Sequence, residues 1–177
     1  TALLPGETAS FLNYTNYHYG INGIMVDIDG LPPADPTAAD FTFKVGLDLS
    51  NSSTWSAPPS SPSVHVGRGD GDGGSDRVTF IWPNGEIVNQ WLQVTAKADA
   101  NTGLATPDVF YFGNIIGETF NKVGEARVTV VDVVKTRSRS GDLDLSITNQ
   151  YDHSHDGRVT ALDVIRCRAN SGLILPL

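Results

Sequence analysis

Twelve residues near the C-terminus, Asp152-His-Ser-His-Asp-Gly-Arg-Val-Thr-Ala-Leu-Asp163, carry the plainest chemistry in the chain. Oxygen-bearing side chains stand at the first, third, fifth and twelfth places (Asp152, Ser154, Asp156, Asp163), and Arg158 at the seventh can offer its main-chain carbonyl. Ca²⁺ is a hard cation that takes six to eight oxygens at about 2.3–2.6 Å, and ligands at alternate places of a tight loop all point inward. Gly157 at the sixth place permits the sharp turn, and Val159 at the eighth pins the loop to a core. Asp163 closes the shell from the first turn of a following helix. The spacing therefore predicts a calcium loop. His153 and His155 occupy even places and are expected to point outward. No third nitrogen or sulfur ligand stands near them in the loop, which argues against zinc.

This loop belongs to a repeat. A shift of 31 residues aligns Arg127-Val-Thr-Val-Val-Asp-Val-Val-Lys-Thr-Arg137 with Arg158-Val-Thr-Ala-Leu-Asp-Val-Ile-Arg-Cys-Arg168, and Ser140-Gly141 with Ser171-Gly172, a helix-stop pair. The first loop then runs through Asn121, Val123, Glu125 and Arg127 to Asp132. It keeps oxygen ligands at the first, fifth and twelfth places, but it has lost the third, and Ala126 replaces the glycine. It is a degenerate calcium loop, able either to hold Ca²⁺ weakly or to serve as scaffold. Val128 to Val134 is dense in β-branched residues and by propensity alone favours a strand. Its twin, however, follows a calcium loop, so both segments are read as helices. Four valines, Val130, Val131, Val133 and Val134, wrap most of the first helix, which predicts burial against the second helix, the β-body or a neighbouring molecule, with cover from within the chain favoured.

A body of residues 1–118 must position this tail of residues 119–177. Its segments read as short strands: Ala9–Tyr14, Gly20–Ile28, Phe41–Leu47, Ser63–Val66, Val78–Trp82, Trp91–Ala98 and Val109–Phe112. Phe41, Phe43, Val45 and Leu47 alternate with polar or small residues, the period of a half-buried strand. Leu31-Pro-Pro-Ala-Asp-Pro36 and Ala57-Pro-Pro-Ser-Ser-Pro62 interrupt regular structure, and Asn84-Gly85 suggests a hairpin turn. The expectation is a mainly β chain with a small α tail: a β-sandwich, jelly-roll or immunoglobulin-like, followed by a pair of calcium-loop helices.

Charge divides at the same boundary. Residues before 120 hold 13 acidic and four basic side chains, net −9; those from Phe120 onward hold seven and eight, net +1. An acidic body is a poor partner for nucleic acid. No apolar run reaches the ~18 residues that a membrane span needs. The single cysteine, Cys167, excludes an internal disulfide, so metal is the available staple. The opening at Thr1, without Met or a leader-like run, reads as that of a mature or trimmed product.

Several features admit two readings. Asp70, Asp72 and Asp76 in the Gly67–Asp76 stretch form either a further calcium site or a solvated loop tip. Arg68-Gly-Asp70 matches an adhesion tripeptide that also arises by chance. Asp27 and Asp29 are either a carboxylate pair or a turn. Tyr14, Tyr17, Tyr19, Trp55, Trp82 and Trp91 supply either a sugar-stacking platform or core. No nucleophile–base order, phosphate loop or paired-acid motif supports catalysis.

The repeat resembles the type I dockerin family, whose duplicated Asp-x-Asn-x-Asp-Gly-x-Val-x-x-x-Asp loops each precede a helix. The resemblance covers Asn121 to Ser171, strongly in the second copy and partially in the first. The body is similar to the domain that precedes such tails in large secreted or surface proteins of planctomycete-type bacteria. Gly20–Ile28, Gly74–Thr79, Trp91–Thr95 and Pro107–Asn114 carry that likeness. Dockerins bind cohesins through helix positions just after the loop, often Ser-Thr; here those are Val130-Val131 and Ala161-Leu162, which departs from ordinary cohesin recognition. The resemblance implies an extracellular or cell-surface, calcium-stabilised, non-enzymatic module whose partner is another protein or copies of itself. A carbohydrate-binding module, or the C-terminal fragment of a larger polysaccharide-acting enzyme, is the alternative.

Overall fold

A computed structural model of the chain describes residues 1–119 and 125–177. The chain is mainly β with a small helical part. Nine strands are described: β1 (Tyr14–Thr15), β2 (Gly23–Ile28), β3 (Phe41–Gly46), β4 (Ser63–Gly67), β5 (Asp76–Ile81), β6 (Trp91–Ala96), β7 (Asp108–Asn114), β8 (Ala126–Arg127) and β9 (Ile174–Leu175). Two helices, α1 (Val130–Ser138) and α2 (Ala161–Ala169), fall on the two copies of the repeat. One sheet has the order β1-β7-β6-β3, a second β2-β5-β4, and a two-stranded ribbon joins β8 to β9. Pairing is antiparallel except between β1 and β7.

Alternation places the core. Ile24 and Ile28 of β2 and Val78 and Phe80 of β5 turn inward to meet Phe41, Val45, Leu92, Val94 and Phe110 of the other sheet. Phe80 lies edge-on to Phe41 at 4.6 Å and to Phe43 at 5.1 Å. The expected Ala9–Tyr14 strand is mostly a 3₁₀ turn, Phe11–Asn13, because Ser10 and Asn13 close a capping box around it. Asn84-Gly85 is not a hairpin: β5 and β6 belong to different sheets, so this turn, with Gly85 at φ +85°, carries the chain from one to the other.

A second apolar cluster crosses the boundary between body and tail. Leu3, Ala9, Tyr14, Trp55, Trp91 and Ile115 pack with Ala126, Val128, Cys167 and Leu175. The Trp91 indole N–H donates to the Pro176 carbonyl at 2.8 Å. Asn16 Nδ2 donates to the carbonyls of Glu118 (2.9 Å) and Gln150 (2.7 Å). Of the four valines of α1, only Val133 packs into this cluster; Val130, Val131 and Val134 are 47–70 % exposed, against expectation. Apolar periodicity says that a face wants cover but not whether this chain provides it.

The acidic stretches of the body serve structure. The Arg68 guanidinium donates to Asp35 (2.7 Å), Asp76 (3.2 Å) and the carbonyls of Leu31 and Pro32, tying down the proline-rich loop. Arg77 makes a two-pronged pair with Asp27 (2.7 and 2.8 Å), and the Asp72 amide adds a third bond. The Arg77 hydrogen bond, seconded by that amide, lowers the Asp27 pKa to about 2. The folded value lies below the unfolded one, so the stabilisation is complete above about pH 4 and is lost as pH falls from there toward 2. Asp27→Asn should flatten that acid limb in urea melts, by the ~0–1 kcal/mol usual for a surface pair.

Candidate metal centre

Asp163 is placed by the helix it begins. Thr160 is the N-cap of α2: its amide (2.8 Å) and hydroxyl (2.9 Å) donate to Asp163 Oδ2, and its oxygen accepts from the Leu162 amide. This capping box fixes the carboxylate, leaving Oδ1 facing the loop interior. Ser154 there donates to Oδ1 through its amide (3.1 Å) and hydroxyl (3.2 Å). The same two groups lie 3.2 and 3.0 Å from Asp152 Oδ1, so one serine spans the two acids. Asp152 Oδ2 accepts from the Gly157 amide at 2.8 Å, a short cut made possible by Gly157 at φ +82°. Asp152 and Asp163 are both fully buried, and Val159 beneath them is 1 % exposed.

Three expected ligands, Asp152, Ser154 and Asp163, thus come together, with the serine hydroxyl 3.0 and 3.2 Å from one oxygen of each acid, at hydrogen-bond distance. The donor set, hard oxygens without thiol or imidazole, suits Ca²⁺. Asp156 stands apart: it is exposed, and its Oδ1 accepts from the Arg158 amide at 3.0 Å. Among the described residues no three His, Cys, Asp or Glu side chains gather into a metal-holding group; the cluster here is two acids and a hydroxyl. Burial pushes the Asp163 pKa up, but the Thr160 amide and hydroxyl and the Ser154 hydroxyl outweigh it and hold the carboxyl below its ordinary value.

The histidines depart from expectation. His153 is fully buried rather than outward, its Nε2 3.4 Å from the Thr136 hydroxyl of α1, and burial lowers its pKa to about 4. His155 stacks on Tyr17, rings 14° apart with centroids at 4.5 Å. The second and fourth places of this loop face α1 and the body, because the tail is packed there. The His153 carbonyl accepts from both the main-chain amide (2.9 Å) and the ring Nδ1 (3.0 Å) of His18.

The first loop is built differently. Asp132 Oδ2 accepts from the Thr129 amide (2.7 Å) and hydroxyl (2.8 Å), the same capping box as Asp163. Its Oδ1 accepts instead from the Thr119 amide (3.0 Å) and hydroxyl (2.8 Å), a residue ahead of the loop. In both copies, then, one amide and one hydroxyl meet this oxygen, from a residue ahead of the loop in the first and from the third place of the loop in the second. Asn121 and Val123 lie outside the described residues. Glu125 faces Arg127 at 3.8 Å, and Arg127 pairs with Ile174 in the β8–β9 ribbon. Gly117 lets the chain pass close to α2: a Cβ there would stand 2.7 Å from Cys167 Cα. This approach sets Glu118 and Thr119 in the interior, where Glu118 accepts from the Tyr14 hydroxyl at 2.7 Å. Burial and the Glu118 charge raise the Tyr14 pKa, and burial takes the Cys167 thiol up to about 12. Thr119, Glu118 and His18 carry no sequence signal, since their roles arise only from the packing of body on tail.

Of the aromatic residues, Trp55, Trp82, Trp91 and Tyr14 are buried, so the stacking platform loses most of its members. A cavity of ≈ 520 Å³ remains beside β2, lined by Tyr14, Tyr17, Met25, Phe112, Ile147 and His155. Asp70, Asp72 and Asp76 do not gather: Asp76 holds Arg68 and the Gly69 amide, and the Asp72 amide reaches Asp27. No described helix is long and apolar enough to cross a membrane. Compared with known protein families, with curated proteins and with solved structures, the chain matches none.

Proposed function

We propose that this chain is an extracellular or cell-surface, calcium-stabilised assembly module without enzymatic activity. In this reading a β-sandwich body carries a dockerin-like pair of calcium-loop helices, and the second loop holds Ca²⁺ through Asp152, Ser154, Asp156, the Arg158 carbonyl and Asp163. The ion contributes folding energy, because a site formed only in the native state adds its binding free energy to stability.

One observation carries the assembly role. Exposure on the helices repeats with the sequence: Val130, Val131, Val134 and Arg137 of α1 are exposed, and so are their 31-residue counterparts Ala161, Leu162, Ile165 and Arg168 of α2. Each helix therefore offers an apolar stripe ending in an arginine. Two matched stripes are a cost to an isolated molecule and suit a contact surface. The acidic body of a neighbouring copy complements the arginines, which favours copies of the chain over an unrelated partner. Sedimentation of the full chain with calcium tests this. The wild type should self-associate with rising concentration, and Val131→Glu with Leu162→Glu should abolish association while leaving the melting temperature unchanged, since both sites are exposed. A wild type that stays monomeric at every concentration, with and without calcium, sinks the self-assembly reading.

A further inference from the structure

Arg166 lies one turn beyond Asp163 on α2, and its guanidinium is divided between loop and body. Nη1 stands 3.6 Å from Asp163 Oδ1, the oxygen that faces the loop interior. That nitrogen is shut off from solvent and makes no hydrogen bond. Nη2 stands 3.2 Å from His18 Nε2. Arginine only donates, so Nε2 accepts and the His18 proton sits on Nδ1, which donates to the His153 carbonyl at 3.0 Å. A chain of contacts thus runs from the last acid of the loop through Arg166 and His18 back to the loop's second residue.

We propose that Arg166 is a positioning residue for the calcium loop: an internal counter-cation that holds Asp163 in its ligand pose when metal is absent and is opposed by the metal when it binds. The inference rests on the calcium reading of this loop. Asp152 and Asp163 are both fully buried and meet on one serine, so their charges repel in a poorly screened place. A buried N–H without an acceptor is unfavourable by itself and is tolerated where a neighbouring charge attracts it. Arg166 supplies the offsetting positive charge. A dication arriving between the same carboxylates takes over that role, and the guanidinium then becomes its like-charged neighbour. The residue that steadies the metal-free loop therefore weakens the metal-bound one. In the first copy the corresponding oxygen of Asp132 accepts from the amide and hydroxyl of Thr119, a residue outside the loop.

The test reads two quantities on the full chain: the melting temperature in chelator, and the dissociation constant for Ca²⁺ by titration calorimetry. Arg166→Met should lower the chelated melting temperature and tighten calcium on the order of three- to tenfold. Arg166→Gln, which keeps donors for His18 but no charge, guards against a methionine variant that fails to fold and should tighten calcium likewise. Arg166→Lys should leave affinity near wild type. If affinity and chelated stability fall together, or neither moves, the proposal is overturned and Arg166 is packing alone. If the wild type itself gives no calcium heat, the calcium reading fails in that arm and takes the proposal with it, whatever the variants do.

Discussion

Calcium should raise the melting temperature of the full chain, and chelator should lower it. At 100-fold excess over its dissociation constant, a ligand specific for the native state adds about 2.7 kcal/mol. In a domain of this size each kcal/mol moves the midpoint by roughly 2–4 °C, so a rise of about 5–10 °C is expected. Asp152→Ala should abolish the response, because its two oxygens organise Ser154 and the Gly157 amide as well as facing the ion. Asp163→Ala should abolish it too and also melt lower in chelator, since it removes the capping box of α2, a further cost of about 1 kcal/mol. Asp132→Ala is the discriminating variant. It should destabilise by a similar capping loss with calcium and with chelator alike, because its inward oxygen is bound to Thr119, outside the loop, rather than to a ligand place within it. Differential scanning calorimetry reads all four. A chain indifferent to chelator would make the second loop a relic, and a calcium response lost in Asp132→Ala would put the ion in the first loop.

The second large effect is expected at Trp91, far from any ligand. Its ring is fully buried, it belongs to the cluster shared by body and tail, and its N–H reaches the Pro176 carbonyl. Trp91→Ala should cost about 3–5 kcal/mol, the transfer and cavity terms for a large core aromatic. Because Ala126, Val128, Cys167 and Leu175 pack in the same cluster, body and tail should unfold in one transition, in the wild type and in the variant. Two resolved transitions in far-UV circular dichroism, with only the first shifted by the mutation, would show two independent units.

Local signals were legible in the sequence, and relations between segments were not. Period-two alternation located the strand of Phe41–Gly46, and the expected place of Asp163 in the first turn of a helix settled α1 and α2 against the strand propensity of the valines. Asn84-Gly85 had the chemistry of a turn, but nothing local could tell that it passes between sheets. In the loop, spacing singled out Asp152, Ser154 and Asp163, but not the hydrogen bonds by which Ser154 joins the two acids. The burial of His153 did not follow from spacing, because it depends on α1 and the body closing over an even place that in an isolated loop would face water. Arg166 was visible only as the charge match of Lys135, and its reach to His18 spans 148 residues of sequence.

The two halves of the repeat hold each other by their exits. Val159 of the second loop exchanges hydrogen bonds with Gly141 (2.8 Å) and Asp142 (3.0 Å), the residues that leave α1. Val128 of the first does the same with Gly172 (2.8 Å) and Leu173 (3.0 Å), the residues that leave α2. Each loop is latched by the strap of the other helix, so the last residues of the repeat bind its beginning. Each copy thus completes its loop with main-chain partners from the other. Native-state hydrogen exchange should find the four latch amides slowing and quickening together, as a single knot tied at both ends.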